Sequence, residues 1–208
     1  MNWRGIVGLV VLLAVAGAGL TLIDQVTREP IAQREAERAQ AVLTQLLPPD
    51  AYNNLVLRDV ITVTAQGLDR PMRIHRARLD EQPVATIADL TTPHGYSGDI
   101  RLLVAADVEG VVIGVRVIEH RETPGLGDAI EAERSHWIEQ FRGRRVVPDD
   151  RGDARRWAAS RRGGDFDTLT SATITSTAVI DAVRAALLTQ HALGEALWAA
   201  PEADDPGQ

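Results

Sequence analysis

The chain has no cysteine and no lysine, and aromatic residues make up only 4% of it. Without thiols it cannot ligate an iron–sulfur cluster through cysteine, attach haem by thioethers, build a cysteine zinc site, staple itself with disulfides or use a cysteine nucleophile. All 22 basic residues are arginine, and the formal net charge of −7 argues against a general nucleic-acid binder, which needs a net basic field to displace counterions from phosphates. The charge is uneven. Residues 142–162 hold eight arginines against Asp149, Asp150 and Asp153. That stretch reads either as a solvated arginine-rich loop or as a docking patch for an acidic partner or lipid headgroups. The histidines, His75, His94, His120, His136 and His191, are scattered and have no cysteine partners, so no metal site is expected of them. No nucleotide-binding glycine loop of the dinucleotide type is present.

What remains is a chain of 208 residues, 45% apolar and 25% charged, with room for one domain plus appendages. Residues 5–23 carry no charge and only Thr21 as a polar side chain, long enough at about 1.5 Å per residue to cross a bilayer core. A retained anchor is the expectation, with a cleaved signal peptide as the alternative, since Ala14-Val15-Ala16 offers a small-x-small site. Arg4 and the amino terminus on one flank and Asp24 on the other put residues 1–4 in the cytoplasm and the bulk of the chain on the far side. Residues 24–49 read as a linker helix, with Glu29-Pro30 at its start and Pro48-Pro49 at its end. A domain over 50–195 follows, then a loose acidic tail over 196–208.

Within the domain, β-branched runs at 60–64, 73–77 and 84–87 fit strands. Residues 99–107 and 111–119 fit a hairpin about Glu109-Gly110. Residues 128–141 read as one helix, with Ile130, Trp137, Ile138 and Phe141 inward, and a second helix follows Thr175. A block of strands with helices mostly outside it gives an α+β class: an antiparallel sheet with flanking helices.

Two segments stand out chemically. Residues 167–176 run Asp-Thr-Leu-Thr-Ser-Ala-Thr-Ile-Thr-Ser into the last helix, six hydroxyls in ten residues. They serve either as helix caps, which need one such side chain, or as a phosphate site at the helix N-terminus. Residues 119–128 contain Glu122-Thr123-Pro124-Gly125-Leu126-Gly127, which is at least a strand-to-helix turn. The first segment resembles the flavinylation motif of the covalent FMN-binding domain family, Asp-x-x-(Ser/Thr)-Gly-Ala-Thr, whose last threonine bears FMN as a phosphoester. The second resembles the same family's flavin-side loop, and Gly95-Tyr96-Ser97-Gly98 matches a further segment. With the anchor, the three ordered motifs look like the G-subunit family of Rnf-type ion-translocating electron-transport complexes, over nearly the whole chain.

The resemblance implies FMN carried covalently on Thr173, with Asp167 as the opening acid of the motif, Thr170 in its Ser/Thr position, and Ala172 before the acceptor. Ser171 departs from the pattern, standing where the family has glycine; a positive φ there would strain a serine by about 1–2 kcal/mol. Thr175 and Ser176 would donate to the phosphate, and Glu122, Thr123, Leu126, Gly127 and Tyr96 would line the ring. Trp137 fits either ring packing or the core. The resemblance further implies other Rnf-type subunits and a flavin transferase as partners, a bacterial inner-membrane location with the flavin domain periplasmic, and the work of an electron-transfer subunit that is not catalytic alone. Two other classes stay open: a membrane-anchored flavin-bearing regulator or sensor, and a structural domain without flavin whose hydroxyl string is only a cap.

Overall fold

A five-stranded antiparallel sheet, with strands in chain order across it, organises the domain. The structure is a computed structural model that describes Trp3, Val42 and residues 44–64, 67–148 and 155–199. The strands are β1 (Val60–Val63), β2 (Met72–Leu79), β3 (Gln82–Gly95), β4 (Gly98–Asp107) and β5 (Val112–Glu119). One long helix, α1 (Thr173–Leu193), packs across the sheet. The chain divides into two units, Met1–Gln45 and Leu46–Gln208, and this fold is that of the second.

Side-chain alternation decides which face the helix covers. Ile74, Ala88, Leu90, Ile100, Leu102, Val104, Val112 and Val115 share one core with Val179, Ile180, Val183 and Leu187 of α1. On the opposite face Leu46 packs so closely on Gly114 that a Cβ there would lie 2.9 Å from it. Farther along that face Asp89 accepts hydrogen bonds from Arg73 at 2.6 Å, directly opposite it on β2, and from Arg101 at 2.8 and 2.9 Å, one diagonal step away on β4. These pairs explain why β3 continues to Gly95, well past residues 84–87. The polar stretch after Ala88 looks like a loop in one dimension, and its partners lie on the flanking strands.

The single helix expected over 128–141 is corrected to two short 3-10 helices, Gly127–Ile130 and Trp137–Phe141. Local side chains intercept the backbone between them. Ser135 Oγ donates to the Ala129 carbonyl at 2.5 Å and accepts from the Trp137 amide at 3.1 Å, bonds that compete with a continuous helix. The last helix starts at Thr173, three residues before the expected start after Thr175. At the other end, packed structure continues past residue 195. A 3-10 helix, Gly194–Trp198, buries Leu197, and buried Arg76 donates to the carbonyls of Leu197 and Ala199.

Phe141, Trp157 and Phe166 stack with ring centroids 4.7 to 6.3 Å apart, and Trp137 meets Phe141 edge-on at 5.7 Å. Half of the chain's eight aromatic rings therefore gather beside the segment that leads into α1. Residues 5–23 and most of 24–49 lie outside the described residues, as do 200–208. Among the described residues no helix is long and apolar enough to cross a membrane.

Candidate functional site

Three segments far apart in sequence meet at the start of α1. The first is the hairpin turn between β3 and β4, with Gly95 and Gly98 paired and Tyr96 exposed at the tip. The second is the loop after β5, wound tight by hydrogen bonds from the amides of Leu126 (3.1 Å) and Gly127 (3.0 Å) to the Thr123 carbonyl. Gly125, with φ of +78°, turns that loop, and its amide donates to Asp128 Oδ1 at 2.8 Å. The third is the turn over residues 169–172, closed by the Ala172 amide on the Leu169 carbonyl at 3.0 Å.

Between them lies a cleft of about 440 Å³, in the size range of small-molecule sites. It is lined by Tyr96, Glu122, Thr123, Leu126, Gly127, Thr170, Ser171, Ala172, Thr173, Ile174 and Thr175. Every candidate site residue from the sequence is there except Asp167, Ser176 and Trp137. Asp167 is held through its backbone: its carbonyl accepts from Trp137 Nε1 at 2.7 Å and its amide donates to Gln140 at 2.8 Å. Trp137 therefore braces the entry to α1 and packs on the core; it is not among the residues lining the cleft. Ile174 is a lining residue that the sequence reading missed. It is 55% exposed on the first turn of α1, and with Tyr96 and Leu126 it forms an apolar rim to the cleft. Nothing in a helical repeat marks such a residue, because its role comes from neighbours on two other segments.

The hydroxyl string does not cap the helix. Ala172 occupies the N-cap position with no side-chain cap hydrogen bond, and the first turn itself holds no acidic residue. The amides of Thr173, Ile174 and Thr175 are therefore the ones a helix leaves without intrahelical partners, at the positive end of its dipole. Thr175 and Ser176 are fully buried and bonded within the protein, in contrast to the expected phosphate-donor role. Thr175 Oγ1 donates to Glu122 Oε2 at 2.6 Å, while Ser176 Oγ donates to the Ala172 carbonyl at 2.8 Å and accepts from the Leu169 amide at 3.0 Å. Thr170 and Ser171 remain exposed and Thr173 half-buried along the cleft. Ser171 is not among the described non-glycine residues with positive φ, which are Asp80 and Glu81, so serine meets no backbone strain in the glycine position of the motif.

An FMN phosphate fits this donor set: a helix N-terminus with no side-chain cap and no acidic residue of its own in the first turn, a half-buried threonine as its first residue, and an apolar rim for a flat ring, with the one nearby carboxylate, Glu122, already engaged by Thr175. Among the described residues no group of three or more histidine, aspartate or glutamate side chains is placed to hold a metal ion.

Residues 95–188 match the model of the FMN-binding domain family. The chain is 44% identical over 192 residues to the G subunit of the ion-translocating oxidoreductase complex of Escherichia coli O157:H7, covering 91% of this chain and 92% of that protein. It is 45% identical over 185 residues to the protein of the same name from Yersinia pestis, covering 87% of each. A solved structure, that of Shewanella oneidensis NqrC, aligns over 65% of each chain at 21% identity with a TM-score of 0.44.

Proposed function

The chain belongs to the G-subunit family of ion-translocating oxidoreductase complexes and carries an FMN-binding domain, and from that premise we propose that it relays electrons through FMN esterified to Thr173. The observation that supports this most directly is the uncapped start of α1 with Thr173 as its first residue. When bound, the flavin supplies the redox chemistry, and the protein supplies position and electrostatics.

Each part of the cleft has a distinct task in this reading. Thr173 Oγ1 would carry the phosphoester, formed once from FAD by a flavin transferase with AMP as the leaving group and the hydroxyl proton released to solvent. The first-turn amides hold the phosphate at the positive end of the helix dipole. Thr170 and Ser171 offer additional hydroxyls beside it. Tyr96, Leu126 and Ile174 give the isoalloxazine an apolar seat, while Thr123 and Gly127 close the loop below. Residues 5–23 anchor the domain to the bacterial inner membrane with residues 1–4 cytoplasmic and the flavin domain periplasmic. Polytopic and redox subunits of a Rnf-type complex are the partners, because a single helix cannot form an ion path.

The test is a denaturing gel of the full chain co-expressed with a flavin transferase. Fluorescence that survives denaturation, maps by mass to the peptide with Thr173, and disappears in Thr173→Ala supports the reading. A dark wild-type band sinks it. Co-purification with polytopic subunits then separates an electron relay from a free-standing flavin sensor.

A further inference from the structure

Glu122 is 5% exposed, and it alone lines both the cleft at α1 and an adjoining cleft of about 520 Å³ that contains His120, Asp128, Glu131 and Arg134. Its carboxylate accepts two hydrogen bonds from two different segments: the Ser97 amide at 3.0 Å, from the hairpin turn, and the Thr175 hydroxyl at 2.6 Å, from α1. The second is at the short end of the range for O–H···O bonds. Two glycines make room for it. A Cβ on Gly95 would lie 2.7 Å from Glu122 Oε1, and one on Gly127 would lie 2.8 Å from Glu122 Cβ. The residue's own backbone is fixed as well, its amide donating to His120 Nδ1 at 3.0 Å while His120 Nε2 pairs with Glu131 at 2.7 Å. A buried charge held this closely on every side has its geometry set by the protein, and little of it is left to contact a ring.

We propose that Glu122 is a positioning residue for the flavin: its carboxylate clasps the three segments that frame Thr173 and sets a fixed negative charge at the base of the cleft. The inference rests on the flavin reading above and goes beyond it by moving Glu122 from ring contact to clasp. It has two consequences. Loss of the clasp lets the α1 start and the hairpin drift apart, so the Thr173 hydroxyl is presented less often in the orientation the transferase needs. The fixed charge opposes the negative charge added by electrons from a reductant such as dithionite, so Glu122 holds the flavin's midpoint potential below the value a neutral side chain would give.

Substitutions separate the two. Glu122→Gln keeps the shape, and both contacts can survive it, because Gln oxygen still accepts from Ser97 and the Thr175 hydroxyl can accept from the amide nitrogen. Glu122→Ala removes clasp and charge together, and Thr175→Val cuts one arm while leaving the charge. The full chain is exposed for a fixed short time to flavin transferase and FAD, attachment is read by intact mass, and loaded protein is titrated with dithionite. Glu122→Ala is expected to load about tenfold more slowly, and Thr175→Val to slow in the same direction. Glu122→Gln is expected to recover most of the loading, with a midpoint potential above that of wild type. Wild-type loading rates in Glu122→Ala or Thr175→Val overturn the clasp, and an unchanged potential in loaded Glu122→Gln overturns the fixed charge. If Glu122→Ala does not fold, the other two variants decide. A wild type that takes up no flavin defeats the flavin reading itself, an outcome distinct from all of these.

Discussion

Ser171 lines the cleft and Gly95 sits behind it in the hairpin turn, against Glu122, and the structure ranks the two in the opposite order from the sequence. Ser171 draws attention because it replaces a glycine of the resembled motif, yet its backbone does not need what glycine offers. Gly95 looks like an ordinary turn residue, but a Cβ there would run into the Gly98 carbonyl and lie 2.9 Å from Ile100 Cδ1 besides meeting Glu122. Gly95→Ala is therefore expected to cost about 2–3 kcal/mol, as overpacking against backbone does, while Ser171→Gly stays within about 1 kcal/mol. Chemical denaturation of both variants checks the pair, and a larger loss in Ser171→Gly would contradict it. The sequence motifs gathered ten of the eleven lining residues, because each is a local string. They could not show which hydroxyls are already bonded: Thr170, Thr173 and Thr175 look alike in sequence, and only packing makes Thr175 a partner of buried Glu122.

Elements were legible where the pattern is periodic and misread where side chains override it. The hairpin of β4 and β5 is visible because alternating apolar residues flank a glycine turn, and Gly110 has the positive φ, +76°, that such a turn demands. The length of β3 is hidden because Asp89 reads as a loop residue until Arg73 and Arg101 are brought beside it. Residues 128–141 have helical spacing of apolar side chains, and Ser135 is what divides them. Ser135→Ala frees the Trp137 amide and is expected to destabilise the protein by about 1 kcal/mol, read as a lowered denaturation midpoint without gain of helical circular dichroism. A clear rise in helix content would mean that packing, and not the serine, splits the element.

For the molecule as a whole, the sheet's second face sets the response to acid. Burial and the nearby Arg73 charge, with a smaller contribution from Arg101, lower His75 below its ordinary value of 6.5, against the Val56 carbonyl and Asp89, which raise it. Burial pushes Asp89 up, but hydrogen bonds and charge from Arg101 and Arg73 outweigh it and hold the carboxyl below 3.8. Both folded values are depressed, so both contributions to stability are complete above the unfolded values and are lost as pH falls toward the folded ones. The melting temperature is thus expected to decline from about pH 6.5 downward and again below about pH 4. Asp89→Asn should lower stability by about 2 kcal/mol near neutrality and flatten the second decline; an acid limb as steep as that of wild type would show that other carboxylates set it. The seat of Thr173 has a different kind of consequence, one of timing. It is assembled from a hairpin near residue 96, a loop near 125 and a helix start near 173, so it exists only in a chain whose sheet has already formed. On the proposed esterification of Thr173, a transferase reading this cleft would act as an inspector of folding, and the flavin it left behind would be a permanent mark that the chain passed.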